Sequence, residues 1–428
     1  MKKYPKYKDS GIEWLGEIPE GWEVKRLKYA TENLDNIRVP LSAEERGQVE
    51  GSYPYYGATG IIGYVNDYLF DGEYLLIGED GAPFFLENKD VAFTAKGKFW
   101  VNNHAHILKI YENSDIRFVM HSLNCVDYEK YITGSTRDKL TQSDLSRIII
   151  PFPPFSEQQS IANFLDQKTS KIDELIKKNE KLVELLKEKR QAIISHAVTK
   201  GLDPNVEMKD SGVEWIGKVP EHWGVSPIKR IVDTPVTDGP HETPEILDEG
   251  VPFVSAEAIR DNKINFERKR GFISEYDHRR YSLKYHPKRD DIYMIKSGAT
   301  TGNLAIVETD EEFNIWSPLA VIRVHQKKVD ARFVLSAMNS KEFQTSVQLF
   351  WSYGTQQNIG MNVIENLLIP LPPLSEQQFI ANFLDQKTAK IDDLTQNIQS
   401  QIETLKEYRQ SLISNVVTGK IDVRSEHQ

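Results

Sequence analysis

The sequence predicts an α+β protein: two mixed α/β domains separated by two long helices that form an antiparallel coiled coil, with a pseudo-two-fold internal repeat. Three repeated texts predict it. PPFSEQQSIANFLDQKT (Pro153 to Thr169) returns as PPLSEQQFIANFLDQKT (Pro372 to Thr388). KDSGIEWLGEIPEGWEV (Lys8 to Val24) returns as KDSGVEWIGKVPEHWGV (Lys209 to Val225), and RQAIISHAVTKGLD (Arg190 to Asp203) as RQSLISNVVTGKID (Arg409 to Asp422). The short motif recurs after 201 residues and the helix start after 219, so the second intervening region is 18 residues longer. A solenoid needs several stacked copies; two copies, each about half the chain, point to a two-fold arrangement. The boundaries follow: a first domain over 1–151, a first spacer helix over 152–203, a second domain over 204–370, and a second spacer helix with its tail over 371–428.

In the first domain, YPYYGATGIIGYVNDYLFDGEYLLIGEDGA reads as short strands punctuated by Gly and Asp turns, and KFWVNNHAHILKI alternates like one strand. A short helix is expected near Ile116–Asn124, then a Gly-Ser/Thr tip, ITGSTRDKL. The spacer helix opens at Ser156 as N-cap, with Gln159 completing a capping box and the preceding prolines holding the chain extended. No Pro or Gly interrupts it from Ser156 to about Thr199, giving a rod of roughly 65 Å. Its apolar seam is read as Ile161, Leu165, Ile172, Leu175, Leu182, Leu186 and Ile193, with Lys168 and Asn179 as polar interruptions. In the second domain VPFVSAEAI, DIYMIKSGATTGNLAIVE and SPLAVIRVH read as strands, followed by a helix near Ala331–Phe343 and the tip SYGTQQNIG. The second spacer helix repeats the first: Ser375 as N-cap, Gln378 three residues on, and a seam of Ile380, Leu384, Ile391, Leu394, Ile398, Leu405 and Leu412, with Lys387 opposed in pattern to Lys168. A long helix with an apolar stripe needs a partner. Two-fold symmetry makes that partner the other copy, running antiparallel; the alternative is that each helix packs on its own globular neighbour.

Composition narrows the function. The 428 residues carry a net charge of −10, which counts against unaided, non-specific nucleic-acid binding, because counterion release needs Lys and Arg against phosphate. Locally, Lys263 to Lys296 is cationic and interleaved with aromatics; a solvated mixed-charge face is the competing reading. No run approaches the ~20 apolar residues of a membrane span, and no apolar segment follows the basic opening as a signal peptide requires. The single cysteine, Cys125, excludes an internal disulfide framework, reads as a packing residue, and fits a reducing cytoplasm. There is no Walker loop, no GxGxxG, no HExxH and no paired-Cys site. His104 and His106 share one face of the expected strand, but no third ligand is indicated and no metal is predicted. SGATTGN (Ser297 to Asn303) resembles a phosphate cradle only in its glycines. No catalytic residue is assigned. What remains are loops rich in side chains that reach base edges and phosphates.

The order of motifs resembles the specificity subunit of type I restriction-modification enzymes. DSGIEWLGEIPEGW and DSGVEWIGKVPEHW before each variable region, and PFPPFSEQQSIANFLDQKTSKID and PLPPLSEQQFIANFLDQKTAKID opening each helix, carry the likeness over essentially the whole chain. YYGATGIIGYVNDYLFDGEYLLIGEDG and TDGPHETP are similar to patterns in that family. The resemblance implies that each variable domain is a target-recognition domain reading half of a split double-stranded DNA sequence, while the coiled coil fixes the gap. It implies two methylation subunits docked around the helices, and translocase-nuclease subunits attached through them. S-adenosylmethionine, ATP and Mg would sit on those partners, with no cofactor in this chain. Phosphate contact would come from the methylation subunits or from patches such as Arg268 to Arg289.

On this basis the DNA-contact candidates in the first domain are Tyr56, Thr59, Lys96, Lys98, Asn102, Asn103 and His104, with Ser135, Thr136, Arg137 and Lys139 at the tip. In the second they are His241, Thr243, Lys296, Ser297, Thr300, Thr301 and Asn303, with Thr355, Gln356, Gln357 and Asn358 at the tip. Three other classes stand beside this reading: a coiled-coil scaffold joining protein-binding domains, a nucleic-acid-modifying enzyme, and the recognition part of a system whose methylation and cleavage share one polypeptide.

Overall fold

The computed structural model describes residues 2–48, 51–86, 89–132, 138–353 and 357–424. The chain forms two compact units, Met1–Lys181 with Ile398–Gln428, and Leu182–Asn397. Each therefore holds one globular domain and a part of each long helix, Phe155–Lys200 and Leu374–Val417.

The first unit is built on a six-stranded sheet in the order Thr31–Asn33, Ala105–Ile110, Phe70–Gly78, Ala92–Val101, Tyr53–Gly57, Gly60–Val65. Neighbours are antiparallel except Tyr53–Gly57 with Ala92–Val101, which pair in parallel through Tyr55 and Trp100. Along Phe70–Gly78, Leu75 and Ile77 enter one core with Leu108 and Phe118, while Leu76 points the other way among Phe70, Phe99 and Ile107. The sheet is thus buried on both faces, as the apolar run YLLI requires. Each fully buried Leu, Ile or Phe contributes about 1.5–3 kcal/mol. Glu23–Arg26 pairs antiparallel with Ile149–Phe152, tying the start of the domain to its end.

The repeated short motif folds as a hairpin, Tyr7–Asp9 against Glu17–Pro19 here and Met208–Asp210 against Lys218–Pro220 in the second unit. Each places one fully buried tryptophan, Trp22 or Trp223, against the glycine that ends a long helix. Gly419 and Gly201 adopt φ of +75° and +74°, the left-handed cap that glycine tolerates best. A Cβ at Gly419 would lie 2.3 Å from Pro19, and one at Gly201 3.3 Å from Trp223.

The second unit splits the equivalent sheet in two. Thr237–Asp238, Leu319–Ile322, Ile292–Ile295 and Leu304–Ile306 form one sheet; Gly271–Ile273, Val251–Val254 and Asn314–Ile315 form the other, with Val251–Val254 and Asn314–Ile315 parallel. The longer second region includes the helix Glu275–Ser282, packed through Tyr281 on Phe253 and through His278 on Asn314.

Several expectations are corrected. The helices begin two residues early: the carbonyls of Pro154 and Pro373 already accept from Glu157 and Glu376 at 2.8 and 2.9 Å. Ser156 and Ser375 therefore lie inside the first turn and are not N-caps. The stretch 92–110 is two strands broken at Asn102, not one. The helix expected near Ala331–Phe343 is two, Ala331–Met338 and Lys341–Phe350, separated by Asn339 and the N-cap Ser340.

The seam also shifts. Buried and half-buried positions run 158, 162, 165, 169, 172, 176, 179, 183, 186, 190, 193, 197 in the first helix. They run 377, 381, 384, 388, 391, 395, 398, 402, 405, 409, 412, 416 in the second, the same alternation of four and three displaced by 219. That is a sustained heptad repeat. Leu175, Leu182 and Leu394 are 49, 42 and 46% exposed; each stands one residue, about 100°, before a seam position. Lys168 and Lys387 are exposed for the same reason, with Thr169 and Thr388 on the seam; Asn179 is half-buried there, as expected. Near the helix starts the globular cores also bury the flanking Ile161 and Ile380, so the domain-packing alternative holds at the ends.

Within each unit the two helix segments are antiparallel. In the first, Glu157 lies near Arg424 while Asp173 accepts from Arg409 Nε at 2.9 Å. In the second, Arg190 Nε donates to Asp392 Oδ1 at 2.8 Å, and Gly201 approaches Glu376. The two Asp–Arg pairs occupy equivalent positions of the repeat.

Candidate DNA-recognition surfaces

In the first unit the candidates gather where the central strand Phe70–Gly78 ends. Glu79 donates its N–H to the His104 carbonyl (2.8 Å) and accepts from Leu140 N–H (2.8 Å), while Asp80 bridges to Lys139. Asn102, nearly buried, accepts the His104 N–H on its side chain (2.8 Å) and donates its own N–H to Tyr56 (3.0 Å). This turn exposes Asn103 and holds His104 Nδ1 on Asp80. Thr59 stands exposed in the two-residue turn before Gly60. Tyr56, Asn102, His104 and Lys139, up to 83 residues apart in sequence, therefore share one rim.

Lys96 and Lys98 do not join it. They lie along Ala92–Val101 opposite Glu73 and Asp71, with the Lys98 ammonium 4.4 Å over the Tyr68 ring. The Tyr56 ring stacks on Phe93 and meets Phe99 edge-on, a packing arrangement. Ser135, Thr136 and Arg137 lie outside the described residues.

Behind this rim is a buried ionic network. His106, expected to share a face with His104, instead points inward: Nδ1 meets Asp35 at 2.5 Å and Nε2 the Leu140 carbonyl at 2.8 Å. Arg38 pairs with Glu79 at 2.9 Å and Asp35 at 3.3 Å, and Lys139 reaches Glu79 at 3.2 Å. Burial alone would push the Asp35 carboxyl up, but the His106 hydrogen bond and charge, the Ile107 N–H and Arg38 overcome it and hold it at about 2. Asp35, Glu79 and His106 place ligand atoms within 4.8 Å of one another, yet both His106 nitrogens are engaged and Arg38 already balances the carboxylates. The trio reads as a lock, not a metal site.

The second unit uses the same backbone frame. The carbonyl of Lys296 accepts Ile359 N–H (2.9 Å), Gly298 N–H donates to Gln357 (3.1 Å), and Ser297 bridges to Asn358. Thr301, nearly buried, bonds to Gly298 and Gln357 carbonyls through Oγ1. The SGATTGN loop and the second tip are therefore one structure, with Thr300, Asn303 and Asn358 exposed. The TDGPH loop joins them: His241 Nε2 and Lys296 Nζ lie 2.9 and 3.2 Å from Asp238 Oδ2. Thr243 follows, exposed. Thr355 and Gln356 lie outside the described residues.

Several important residues escaped the sequence reading. Gln158 and Gln377, both fully buried, donate to Pro153 and Pro372 carbonyls and accept from Asp115 and Asp330 N–H, the N-caps of the short helices Ile116–Leu123 and Ala331–Met338. They couple each long helix to its domain. Their signal was the first glutamine of EQQ in both copies, whereas the capping-box pattern drew attention to the second, Gln159 and Gln378. Asp238 was hidden inside a motif read for its histidine. Cys125 is a packing residue, its thiol pushed up to about 12 by burial.

Residues 19–185 and 220–404 match the family of type I restriction modification DNA specificity domains. The chain belongs to that family. It is a non-catalytic DNA-recognition subunit of a type I restriction-modification system, in keeping with its two repeated domains. S.HindORF215P of Haemophilus influenzae, assigned by name as a type I restriction enzyme specificity subunit, is 29% identical over 94% of this chain and 98% of its own length. The MjaVIII specificity subunit of Methanocaldococcus jannaschii is 24% identical over 95% of each. A chain from a structure of the type I restriction-modification system superposes with a TM-score of 0.68 at 16% identity, covering 94% of this chain and 99% of its own. The HsdS subunit of Thermoanaerobacter tengcongensis gives 0.50, also at 16%, over 94 and 98%. These likenesses support the fold. Among the described residues no helix is long and apolar enough to cross a membrane.

Proposed function

We propose that this specificity subunit reads a bipartite double-stranded DNA target, each rim reading one half-site, with the paired helices setting the gap. The observation that carries this is the pair of heptad seams displaced by 219 residues, with equivalent Asp–Arg pairs in each unit. Half-site spacing in DNA readers follows protein geometry, and a heptad-locked pair makes that geometry stiff. Two dissimilar domains imply two dissimilar half-sites.

The partners proposed are two methylation subunits and, through them, translocase-nuclease subunits, acting in the cytoplasm. S-adenosylmethionine, ATP and Mg serve chemistry on those partners, where adenine is methylated and DNA cut. For base contact we propose Asn103, His104, Thr59 and Lys139 from the first rim, and Thr300, Asn303 and Asn358 from the second, because these candidates present polar atoms outward on braced backbone. Mapping methylated adenines in the genome of the source cell tests the reading. A split motif with a constant gap, lost on deletion of this chain, is expected; methylation without such a motif, or unaffected by the deletion, contradicts it.

A further inference from the structure

Asp238 ends a two-residue edge strand and its side chain is fully shielded from solvent, yet three cationic or titratable groups converge on it from three segments. Lys284, just after the helix Glu275–Ser282, donates to Asp238 Oδ1 at 2.5 Å and to the Gly239 carbonyl at 3.0 Å. Lys296 and His241 approach Oδ2 at 3.2 and 2.9 Å without an aligned hydrogen bond. The acid is hidden while two of its donors are not: the Lys284 and His241 side chains are 46 and 68% exposed, and Lys296 is 14% exposed. An ammonium has three N–H donors, so Lys284 keeps one for an acceptor outside the protein. Burial pushes the Asp238 carboxyl up, but Lys284 and Lys296 overcome this and hold it below the usual carboxylate range. The neighbouring Arg280 is already engaged by Asp277 and Glu242 and is not counted.

We propose that Asp238 is a positioning residue that gathers Lys284, Lys296 and His241 into a clamp for one DNA backbone phosphate beside the second half-site. The inference rests on the DNA reading above and deepens it. A fixed cluster of donors with its acid buried and two donors facing solvent fits a compact anion with several acceptor oxygens. Phosphate contacts set register on the duplex without reading sequence, which matches a site built from a loop, a strand end and an added helix beside the tip.

The test uses the full chain co-expressed with its methylation subunits, and duplex DNA carrying the mapped split motif. Replacing one phosphate contact lowers the slope of log binding constant against log salt by about 0.9. Lys284→Met should therefore bind more weakly with a slope shallower by about that amount, equally on the intact target and on one with an altered second half-site, and Lys284→Arg should restore the slope. Asp238→Asn should also weaken binding, although it removes a negative charge that simple repulsion would make beneficial. An unchanged slope in Lys284→Met, a loss that depends on the second half-site sequence, or tighter binding by Asp238→Asn overturns the clamp. Because Lys284 is exposed, its variants keep the test decisive if Asp238→Asn does not fold. A wild-type complex that ignores the split motif overturns the DNA reading itself; one that reads it while Lys284→Met behaves as wild type overturns the clamp alone.

Discussion

Glu79 and Lys296 occupy the same place in their respective units. Each follows the central strand, and each carbonyl accepts from a residue at the end of the tip, Leu140 or Ile359. Their neighbours Asp80 and Ser297 bridge to Lys139 and Asn358. The charges are reversed, and so are the partners: Glu79 is met by Arg38, Lys296 by Asp238. The backbone frame is common, while the ionic brace is rewritten. In the first unit the buried acid Asp35 is held by groups that are themselves buried, with Arg38 and His106 side chains 12 and 1% exposed. In the second, Lys284 and His241 reach water from around Asp238, while Lys296 is 14% exposed. The first arrangement is a lock and the second a display.

This contrast can be broken experimentally. The largest effect is expected for Asp35→Ala, which strands buried Arg38 and His106 and should cost the first unit about 3–5 kcal/mol, read by chemical denaturation. Asp238→Asn should cost less, about 1–3 kcal/mol, because Lys284 and His241 can turn to solvent. Equal costs would erase the distinction between lock and display.

Acid should expose the same lock. Asp35 is held at about 2 against an ordinary 3.8. A depressed carboxyl contributes stability that is complete above the unfolded value and is lost as pH falls through the folded one. Protection of the Ala105–Ile110 amides from hydrogen exchange should therefore fall between about pH 4 and pH 2. Asp35→Asn should remove this pH dependence; an unchanged profile would show that other groups carry it.

The smallest effects test the seam. Val183→Ala should cost about 1–2 kcal/mol and the adjacent Leu182→Ala less than about 0.5, in thermal melts of the full chain. The reverse order would restore the seam first read from the leucines.

How much of this was legible in the sequence depends on the range of the interaction. The repeats, long helices, two mixed domains and antiparallel pairing follow from Pro, Gly and apolar spacing, which act locally or through symmetry. The seam phase was misread because leucine favours helix on any face, while Thr169 and Arg190 occupy seam positions that look polar. The rims were legible as lists of residues but not as sites. Nothing local says that Asn102 breaks a strand, that Lys139 returns to Glu79, or that Asp238 collects Lys284 from 46 residues away. Those contacts come from strand order, which one sequence does not reveal.

The central claim is that a stiff helix pair sets the distance between two readers. Inserting one heptad into each long helix at equivalent seam positions adds roughly 10 Å, about three base pairs of duplex at 3.4 Å per step. Genome-wide mapping of methylated adenines in cells carrying that variant should show both half-site sequences unchanged and the gap longer by about three. An unchanged gap, or altered half-site letters, would contradict the account.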